Sequence, residues 1–432
     1  MHLQFYLKTL VCLVLALWTL ALRAEITPVA ESRLALTEQQ AIALFYQRNL
    51  DLIAASFNID TALAQEIIAA AIPNPKLSFT ISSLSSEMFK KENSHQPLPA
   101  VSPQIEQLIE TAGKRHLRIE SSELATEAVN LDLQDILRVL TNAVRRAYYN
   151  LLLAQKTAEV ASNNLDRYRE ILRVNAVRLK VGDIAETGFT RIEVESLKAQ
   201  GDLDQAQSAL NRARADLLLL LGWPENSLEI FAMESWPEAK PQIAQAGQEQ
   251  LVRQALERRP DLQAARLRIQ QAGKMLTLAQ RLVIPDVTVS GFYQRDPGNF
   301  FTNSGGIGIS VPLPLFYKQE GEISKARVGL NSAELALRQI ELNVQAEVMK
   351  DLSAWRSANA IVQRFEESVL KRIEALRKAQ EFAYQKGAVG LLDLIDAERS
   401  YKAMMLDYYT ALANRSNAWA DLLMAYGEEI KL

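Results

Sequence analysis

The stretch KLSFTIS at residues 76–82 decides the fold class of this chain, because its side chains alternate strictly between apolar and polar. In a β-strand, Leu77, Phe79 and Ile81 would lie on one face, and the serine and threonine side chains would lie on the other. The pattern therefore predicts a strand in a sheet that has one apolar face and one polar face.

A second stretch, residues 286–293, repeats this alternation less strictly in the other half of the chain. Three of its apolar side chains share one predicted face: Val287, Val289 and Tyr293. Each stretch is followed by a polar loop and by a further strand candidate. We therefore expect one β-hairpin at about residues 76–110 and another at about 286–313, with strands close to the roughly nine residues that span a membrane.

Four strands cannot close into a barrel by themselves. In lipid, an open sheet edge leaves backbone groups unpaired at a cost of several kcal/mol each. If these strands enter a membrane, several chains must share one barrel, with the apolar side chains named above facing lipid. The alternative is a small soluble sheet at the end of a helical bundle.

The chain also repeats itself. Arg48-Asn49-Leu50-Asp51-Leu52 recurs about 210 residues later as Arg258-Arg259-Pro260-Asp261-Leu262. A period of this length is too long for a solenoid and indicates a duplicated half with an internal pseudo-two-fold axis. We expect a first structural repeat at residues 25–222, a linker at 223–246 and a second repeat at 247–432, each containing a helix, a hairpin and a pair of long helices.

Two regions without proline favour long helices, because proline in a helix interior costs about 3 kcal/mol. They predict helices at residues 113–180 and 319–386, each on the order of 100 Å long at 1.5 Å per residue. Tight turns at Gly182-Asp183 and at Gly387 should connect them to return helices at 186–221 and 391–426. Antiparallel helix pairs of this length need neighbours to bury their apolar stripes.

The N-terminus resembles an export signal. Residues 1–24 combine a weakly basic start with an apolar run and small residues before Glu25, which predicts a cleaved signal peptide. Cleavage would remove Cys12, so no lipid anchor or disulfide is expected, and it would leave 46 basic against 51 acidic residues. This charge balance gives no reason to expect a nucleic acid partner.

Several motifs occur in a fixed order in both halves. In the first half they are Leu36-Thr37-Glu38-Gln39-Gln40-Ala41, Asn49-Leu50-Asp51, Asn74-Pro75 and Gly113-Lys114-Arg115. In this order and spacing the chain resembles the TolC family of outer membrane efflux proteins over nearly its whole length. The segments at residues 111–115 and 310–316 are more similar to the heavy-metal branch, which is CzcC- and CusC-like.

The resemblance implies a mainly α fold that carries a membrane β-barrel. Three copies would contribute four strands each to a shared 12-stranded barrel, and their long antiparallel helices would form an α-barrel tunnel. Residues 34–72 and 250–282 would be the remaining tunnel helices, which meet the barrel at Pro75 and Pro285, and residues 223–246 would form a belt. The implied partners are outer membrane lipid, a periplasmic adaptor and an inner membrane pump of the RND type, and no cofactor is implied.

Asp393 and Asp396 are the candidate pore residues. They lie three residues apart after the Gly387 turn, hence on one helix face. They match the family's acidic ring at the periplasmic entrance, whereas the alternative is that they are ordinary first-turn acids favoured by the helix dipole. Val389 and Gly188 stand where members of the family carry the charged residues that lock this tip, so that lock cannot be transferred to this chain.

No residue set in the sequence predicts an enzyme, because the histidines are few and scattered and no nucleophile or cofactor motif accompanies the paired aspartates. The rival to a channel is a periplasmic coiled-coil structural or adaptor protein without a pore. Within the channel interpretation, the exported substrate, a heavy-metal ion or a drug, is left open by the sequence.

Overall fold

The computed structural model describes residues 32–82, 100–223, 228–233, 236–296 and 302–428. The predicted signal peptide and most of both hairpin loops lie outside these residues. The chain divides into two compact units, which we call the sheet unit and the turn unit. The sheet unit comprises Asn49–Ala143, Pro237–Arg364 and Asn414–Leu432, and the turn unit comprises Met1–Arg48, Val144–Trp236 and Phe365–Ala413.

The described residues are mostly helical. In chain order the elements are β1 (Ser32–Leu36), α1 (Glu38–Arg48), α2 (Leu50–Ala70), β2 (Lys76–Ser82), β3 (Ala100–Ile109), α3 (Lys114–Lys180), α4 (Glu186–Leu220), β4 (Leu228–Ala232), α5 (Pro241–Ala244), α6 (Gln248–Arg258), α7 (Pro260–Arg281), β5 (Val287–Asp296), β6 (Thr302–Ser310), α8 (Glu320–Arg364), a π-helical segment (Phe365–Val369), α9 (Leu370–Gln385) and α10 (Leu391–Tyr426). The order helix, hairpin, long helix and return helix thus occurs in both halves.

The sheet unit contains a four-stranded antiparallel sheet in the order β2-β3-β5-β6. Leu77 lies opposite Ile105, Ile105 opposite Gly291, and Gly291 opposite Ile307, so odd-numbered residues of all four strands share one face. β2 and β6 are the outer strands. The sheet is open, and it is not a closed barrel.

Both predicted long helices form, with one difference. α3 runs without interruption over 67 residues, whereas the second predicted helix contains the π-helical segment between α8 and α9. The aromatic ring of Phe365 in this segment packs against that of Tyr408, with centroids 5.9 Å apart. No proline or glycine marks this position, so the local sequence gave no sign of the interruption.

The prediction of one helix over residues 34–72 is wrong at two points. Leu34 to Leu36 belong to β1, which pairs in parallel with β4, and this distant partner is invisible to local periodicity. The helical region is also divided at Asn49, whose side chain accepts a hydrogen bond from the Leu52 N–H at 3.0 Å and so caps α2.

The predicted helix at residues 250–282 is likewise divided. α6 ends at Arg258, Arg259 adopts an extended conformation, and Pro260 opens α7. Proline disfavours helical geometry in the residue before it and is well tolerated at the first helical position. The chain therefore turns between α6 and α7 instead of continuing as one helix.

Each unit has its own apolar core. In the sheet unit, Trp355 and Trp419 pack with ring centroids 5.3 Å apart among buried residues of α6, α7, α8 and α10. In the turn unit, Leu165 and Tyr168 of α3 pack with Ile192 of α4 and Ile395 of α10. The second core lies at the start of α10, and therefore supports the predicted entrance residues.

Candidate functional site

The two helix turns of the turn unit are built alike. Gly182 and Gly387 both adopt left-handed backbone conformations, with φ of 75° and 73°. The Asp183 N–H donates to Arg178 O at 2.8 Å, and the Ala388 N–H donates to Ala383 O at 2.9 Å. These are the hydrogen bonds of glycine-terminated helices, so both predicted turn tips form as tight helix ends.

Asp393 and Asp396 lie on one exposed face in the first two turns of α10. The side chain of Asp396 is 72% exposed and lies 3.6 Å from Arg399. Asp393 Oδ2 accepts a hydrogen bond from the Gly390 N–H at 2.9 Å, which is the capping role of an ordinary first-turn acid. Capping leaves the carboxylate exposed, so the structure is compatible with both interpretations of Asp393.

Val389 follows the Gly387 turn, and Gly188 of α4 lies close to Leu391 at the start of α10. A side chain at Gly188 would place its Cβ 3.6 Å from Leu391, which is ordinary van der Waals distance. Both residues are half-buried. The described contact at the position of the family's charged lock is therefore apolar.

Two ion pairs behind the exposed aspartates were missed by the sequence reasoning. Arg399 Nε donates to Glu195 Oε2 at 3.1 Å, and this hydrogen bond holds the pKa of the Glu195 carboxyl below its usual value, despite partial burial. Glu398 lies 3.7 Å from Arg377, and burial raises its pKa. The sequence signal for Glu398 is its position four residues after Leu394, which places an acidic side chain on the apolar face of α10.

The sheet face defined by odd-numbered residues collects all the residues predicted to face lipid. They are Leu77, Phe79, Ile81, Val287, Val289 and Tyr293. The opposite face carries mainly hydroxyl, amide and glycine residues. Phe292 is an exception, because its ring lies on the polar face, 2.8 Å from the position that a Cβ of Gly306 would take.

Pro75 and Pro285 each lie just before a strand of the sheet, at its junction with the helices. Thr111 Oγ1 donates to Pro285 O at 2.8 Å, and Lys114 Nζ lies 2.8 Å from Asp286 Oδ1. Burial acts to raise the pKa of the Asp286 carboxyl, but the hydrogen bonds from Lys114 and Thr111 outweigh it and lower the pKa. The second junction is therefore fixed by a buried lysine.

Two helices of the sheet unit expose apolar stripes with heptad spacing. On α2 the exposed residues are Leu50, Ile53, Phe57 and Ile67, and on α8 they are Val328, Leu335, Leu342 and Met349. α2 is long and apolar enough to cross a membrane by length and composition, with 17% of its most apolar window buried. Spacings of three and four residues, or of seven, are those of a coiled-coil seam.

Within the part of the chain that the structure describes, no group of three or more His, Cys, Asp or Glu side chains is arranged to hold a metal ion. The features that stand out are therefore the two-faced sheet, the exposed stripes and the acidic helix start.

The chain is similar to known proteins in sequence and in fold. The chain is 23% identical to the cobalt-zinc-cadmium resistance protein CzcC of Cupriavidus metallidurans over 89% of this chain and 88% of CzcC. It is also 23% identical to the pyoverdine export outer membrane protein OpmQ of Pseudomonas putida, over 84% of this chain and 79% of OpmQ. A crystal structure of CusC superposes with a TM-score of 0.75 at 19% identity, over 90% of this chain and 92% of CusC.

The family of outer membrane efflux proteins matches residues 41–223 and 251–428, which together cover most of the chain. The two matched segments are separated by residues 224–250. The chain therefore belongs to the outer membrane efflux protein family, and it is an outer membrane protein of the TolC type rather than an enzyme.

Proposed function

We propose that three copies of this chain form a channel-tunnel that carries substrate across the outer membrane, as the conduit of a tripartite efflux system. Each copy contributes four strands to a 12-stranded barrel, and the helices form the periplasmic tunnel. The two halves of each chain act as equivalent, duplicated building blocks of this wall.

The observation that carries this proposal is the two-faced open sheet. One face is apolar and exposed, and the other is mostly polar, as in the wall of a water-filled membrane barrel. The outer edges of β2 and β6 need partners in lipid. Pairing β6 of one copy with β2 of the next, around a ring of three, removes every edge.

The exposed stripes on α2 and α8 support the same assembly. Antiparallel pairing of β6 with the β2 of a neighbouring copy brings the end of β6 beside the start of β2. α8 follows β6 and α2 precedes β2 along the chain, so the two helices meet at that same end of the barrel. Their apolar seams then cover each other, which removes the exposed stripe from water.

Asp393 and Asp396 are proposed to line the periplasmic entrance. Three copies would place six carboxylates around the pore, where they attract cations and repel one another. An inner membrane pump, of the RND type, and a periplasmic adaptor would deliver substrate there. The tips at Gly182, Asp183 and Gly387 are the parts of this chain that the adaptor would reach.

The proposed substrates are heavy-metal ions, with drugs as the second possibility. The similarity to CzcC and to CusC favours metal ions, whereas the similarity to OpmQ, which exports pyoverdine, favours an organic molecule. Growth of a deletion strain on zinc, cobalt, cadmium and a panel of drugs separates the two. Selective sensitivity to the metals supports the first.

The architecture is tested with protein extracted from outer membranes in detergent. We expect a trimer by light scattering, an oligomer on an unheated denaturing gel that dissociates on heating, and ion conductance in a planar bilayer. A monodisperse, water-soluble monomer without conductance would instead identify a periplasmic coiled-coil protein without a pore.

A further inference from the structure

Neighbouring residues on α10 connect this helix to two different helices of the turn unit. Arg399 is hydrogen-bonded to Glu195 on α4. Glu398 forms an ion pair with Arg377 on α9, with 3.7 Å between Oε1 and Nη1. The first contact is a hydrogen-bonded ion pair, and the second is longer than a hydrogen bond.

Glu398 is buried between two cavities of the turn unit. Its side chain is 5% exposed. One cavity has a volume of about 500 Å³ and the other about 260 Å³, and both are lined by Glu398 and by Arg167 of α3. Cavities of this size with polar walls hold water, so a proton can reach the carboxylate although bulk solvent hardly does.

The environment of Glu398 favours its neutral form. Burial disfavours the charged form of its carboxyl, and Glu381 of α9 adds electrostatic repulsion. Arg377 and Arg167 favour the charged form, but burial and repulsion outweigh them, so the pKa of Glu398 is raised. Arg167 is shared, because it also pairs with Glu381 at 3.2 Å. The hydroxyl of Tyr168 on α3 is buried and has no hydrogen-bond partner among the described residues.

Glu398 is not the only partner of the Arg377 side chain. Its guanidinium lies 4.5 Å from the ring centroid of Tyr401, a cation–π contact that remains when the carboxylate is neutral. Its Nε has no hydrogen-bond partner among the described residues. The other charged groups of the larger cavity are Glu159 and Asp166 of α3 and Lys402 of α10, and Lys402 is paired with Asp202 of α4.

We propose that Glu398 is a proton-binding site whose neutral form holds the start of α10 against α9 and whose ionisation loosens this contact, while Arg399 keeps α10 attached to α4. The two contacts differ in proton affinity, because the pKa of Glu398 is raised and that of Glu195 is lowered. Acidification therefore neutralises Glu398 first. The loosening is one-sided, which gives the helix start a direction in which to move.

This loosening would reach the exposed aspartates. Asp393 and Asp396 lie on the same two turns of α10 as Glu398, on the opposite, exposed face. Their connection to channel entry rests on the proposed function. The proton-dependent contact between α9 and α10 does not rest on the proposed function, and it can be measured without a conductance experiment.

The test uses spin labels at the exposed positions Lys378 of α9 and Ser400 of α10, in full-length protein with Cys12→Ser. We expect the distance distribution to be longer or broader at pH 8 than at pH 5. Glu398→Gln should give the acidic distribution at both pH values. An unchanged distribution in the parent, or a Glu398→Gln variant that responds to pH like the parent, would overturn the proposal.

Thermal unfolding gives an independent measurement that does not depend on the positions of the spin labels. A raised pKa means that the folded state binds the proton more tightly, so ionisation at neutral pH costs stability. Glu398→Gln should therefore unfold at a higher temperature than the parent at pH 8, and the difference should vanish as pH falls through the folded-state pKa. A lower unfolding temperature at pH 8 would show that the ion pair dominates and would contradict the proposal.

Glu159→Gln is the matched control. Glu159 lines the same cavity, but its side chain is 53% exposed and is paired with Lys156. This variant should keep the pH response of the parent in both measurements. If it abolishes that response as Glu398→Gln does, the sensor is the cavity as a whole and the assignment to Glu398 is wrong.

Discussion

The sheet unit and the turn unit expose opposite kinds of surface. The sheet unit presents the apolar sheet face and the seams of α2 and α8. The turn unit presents the carboxylates of α10 and keeps ion pairs behind them. In the proposed channel, the first surface is completed by lipid and further copies of the chain, whereas the second faces water and ions. If the proposal holds, the first surface serves assembly and the second serves ion selectivity.

The largest effect should come from reversing the polarity of the sheet face. A Phe79→Lys substitution near the membrane centre should cost about 2–4 kcal/mol and should reduce the amount of assembled trimer in outer membranes. Ser78→Lys, one residue away on the polar face, should assemble normally. Equal loss in both variants, measured on unheated gels, would mean that the lipid-facing side has been misassigned.

The helix seam should matter next. Leu335→Gln removes an apolar side chain from the proposed contact between copies, and a buried leucine contributes about 1.5–3 kcal/mol. We expect the heated gel to show dissociation at a lower temperature. Ala336→Gln, at the exposed neighbouring position, is the control. If Leu335→Gln dissociates at the same temperature as Ala336→Gln, the seam does not lie between copies.

The junction lysine should have a pH-dependent effect. Lys114→Met leaves Asp286 without its cation, at a cost of about 1–3 kcal/mol. The pKa of Asp286 is lowered in the folded state, so its contribution is present above the unfolded-state pKa and is lost as pH falls through the folded-state pKa. Urea unfolding at pH 7 should therefore separate parent and variant more than unfolding at low pH does.

The smallest effect on stability should come from the entrance. Removing both carboxylates with Asp393→Ala and Asp396→Ala deletes one helix cap, at about 0.5–2 kcal/mol, and should leave the trimer intact. Block of single-channel conductance by di- and trivalent cations should disappear, because the six carboxylates are gone. If cation block is unaltered, both residues are ordinary first-turn acids and do not line the pore.

Asp393→Asn separates the two roles of that residue. Asparagine can accept the hydrogen bond from the Gly390 N–H as a cap does, but it carries no charge. We expect the unfolding temperature of the parent together with weakened cation block. A loss of stability without a change in block would assign Asp393 to capping alone.

Regular, locally encoded features were predictable from the sequence. The alternation at residues 76–82 and the absence of proline in α3 determine local structure directly, and both elements form as expected. The turn glycines were equally visible, because few other residues adopt positive φ. Long-range strand pairing is not visible in the local sequence. The expectation of a helix at residues 34–36 is therefore wrong, because these residues belong to β1, which pairs with β4.

The candidate site was only partly predictable. A pair of acids at helical spacing identifies one exposed face, and the structure places Asp393 and Asp396 there. Whether that face lines a pore stays a prediction. The ion pairs of Glu195 and Glu398 depend on which helices are neighbours, and one sequence does not specify this.

The parallel pairing of β1 with β4 bears on how the chain folds. Ser32 must find Leu228, so β1 remains an unpaired strand while α1 to α4 are synthesised and exported. Closing so long a loop is slow, and an unpaired strand is prone to associate with other chains. We therefore expect the contact between β1 and β4 to form late in folding, and β1 to be open to association with other chains until then.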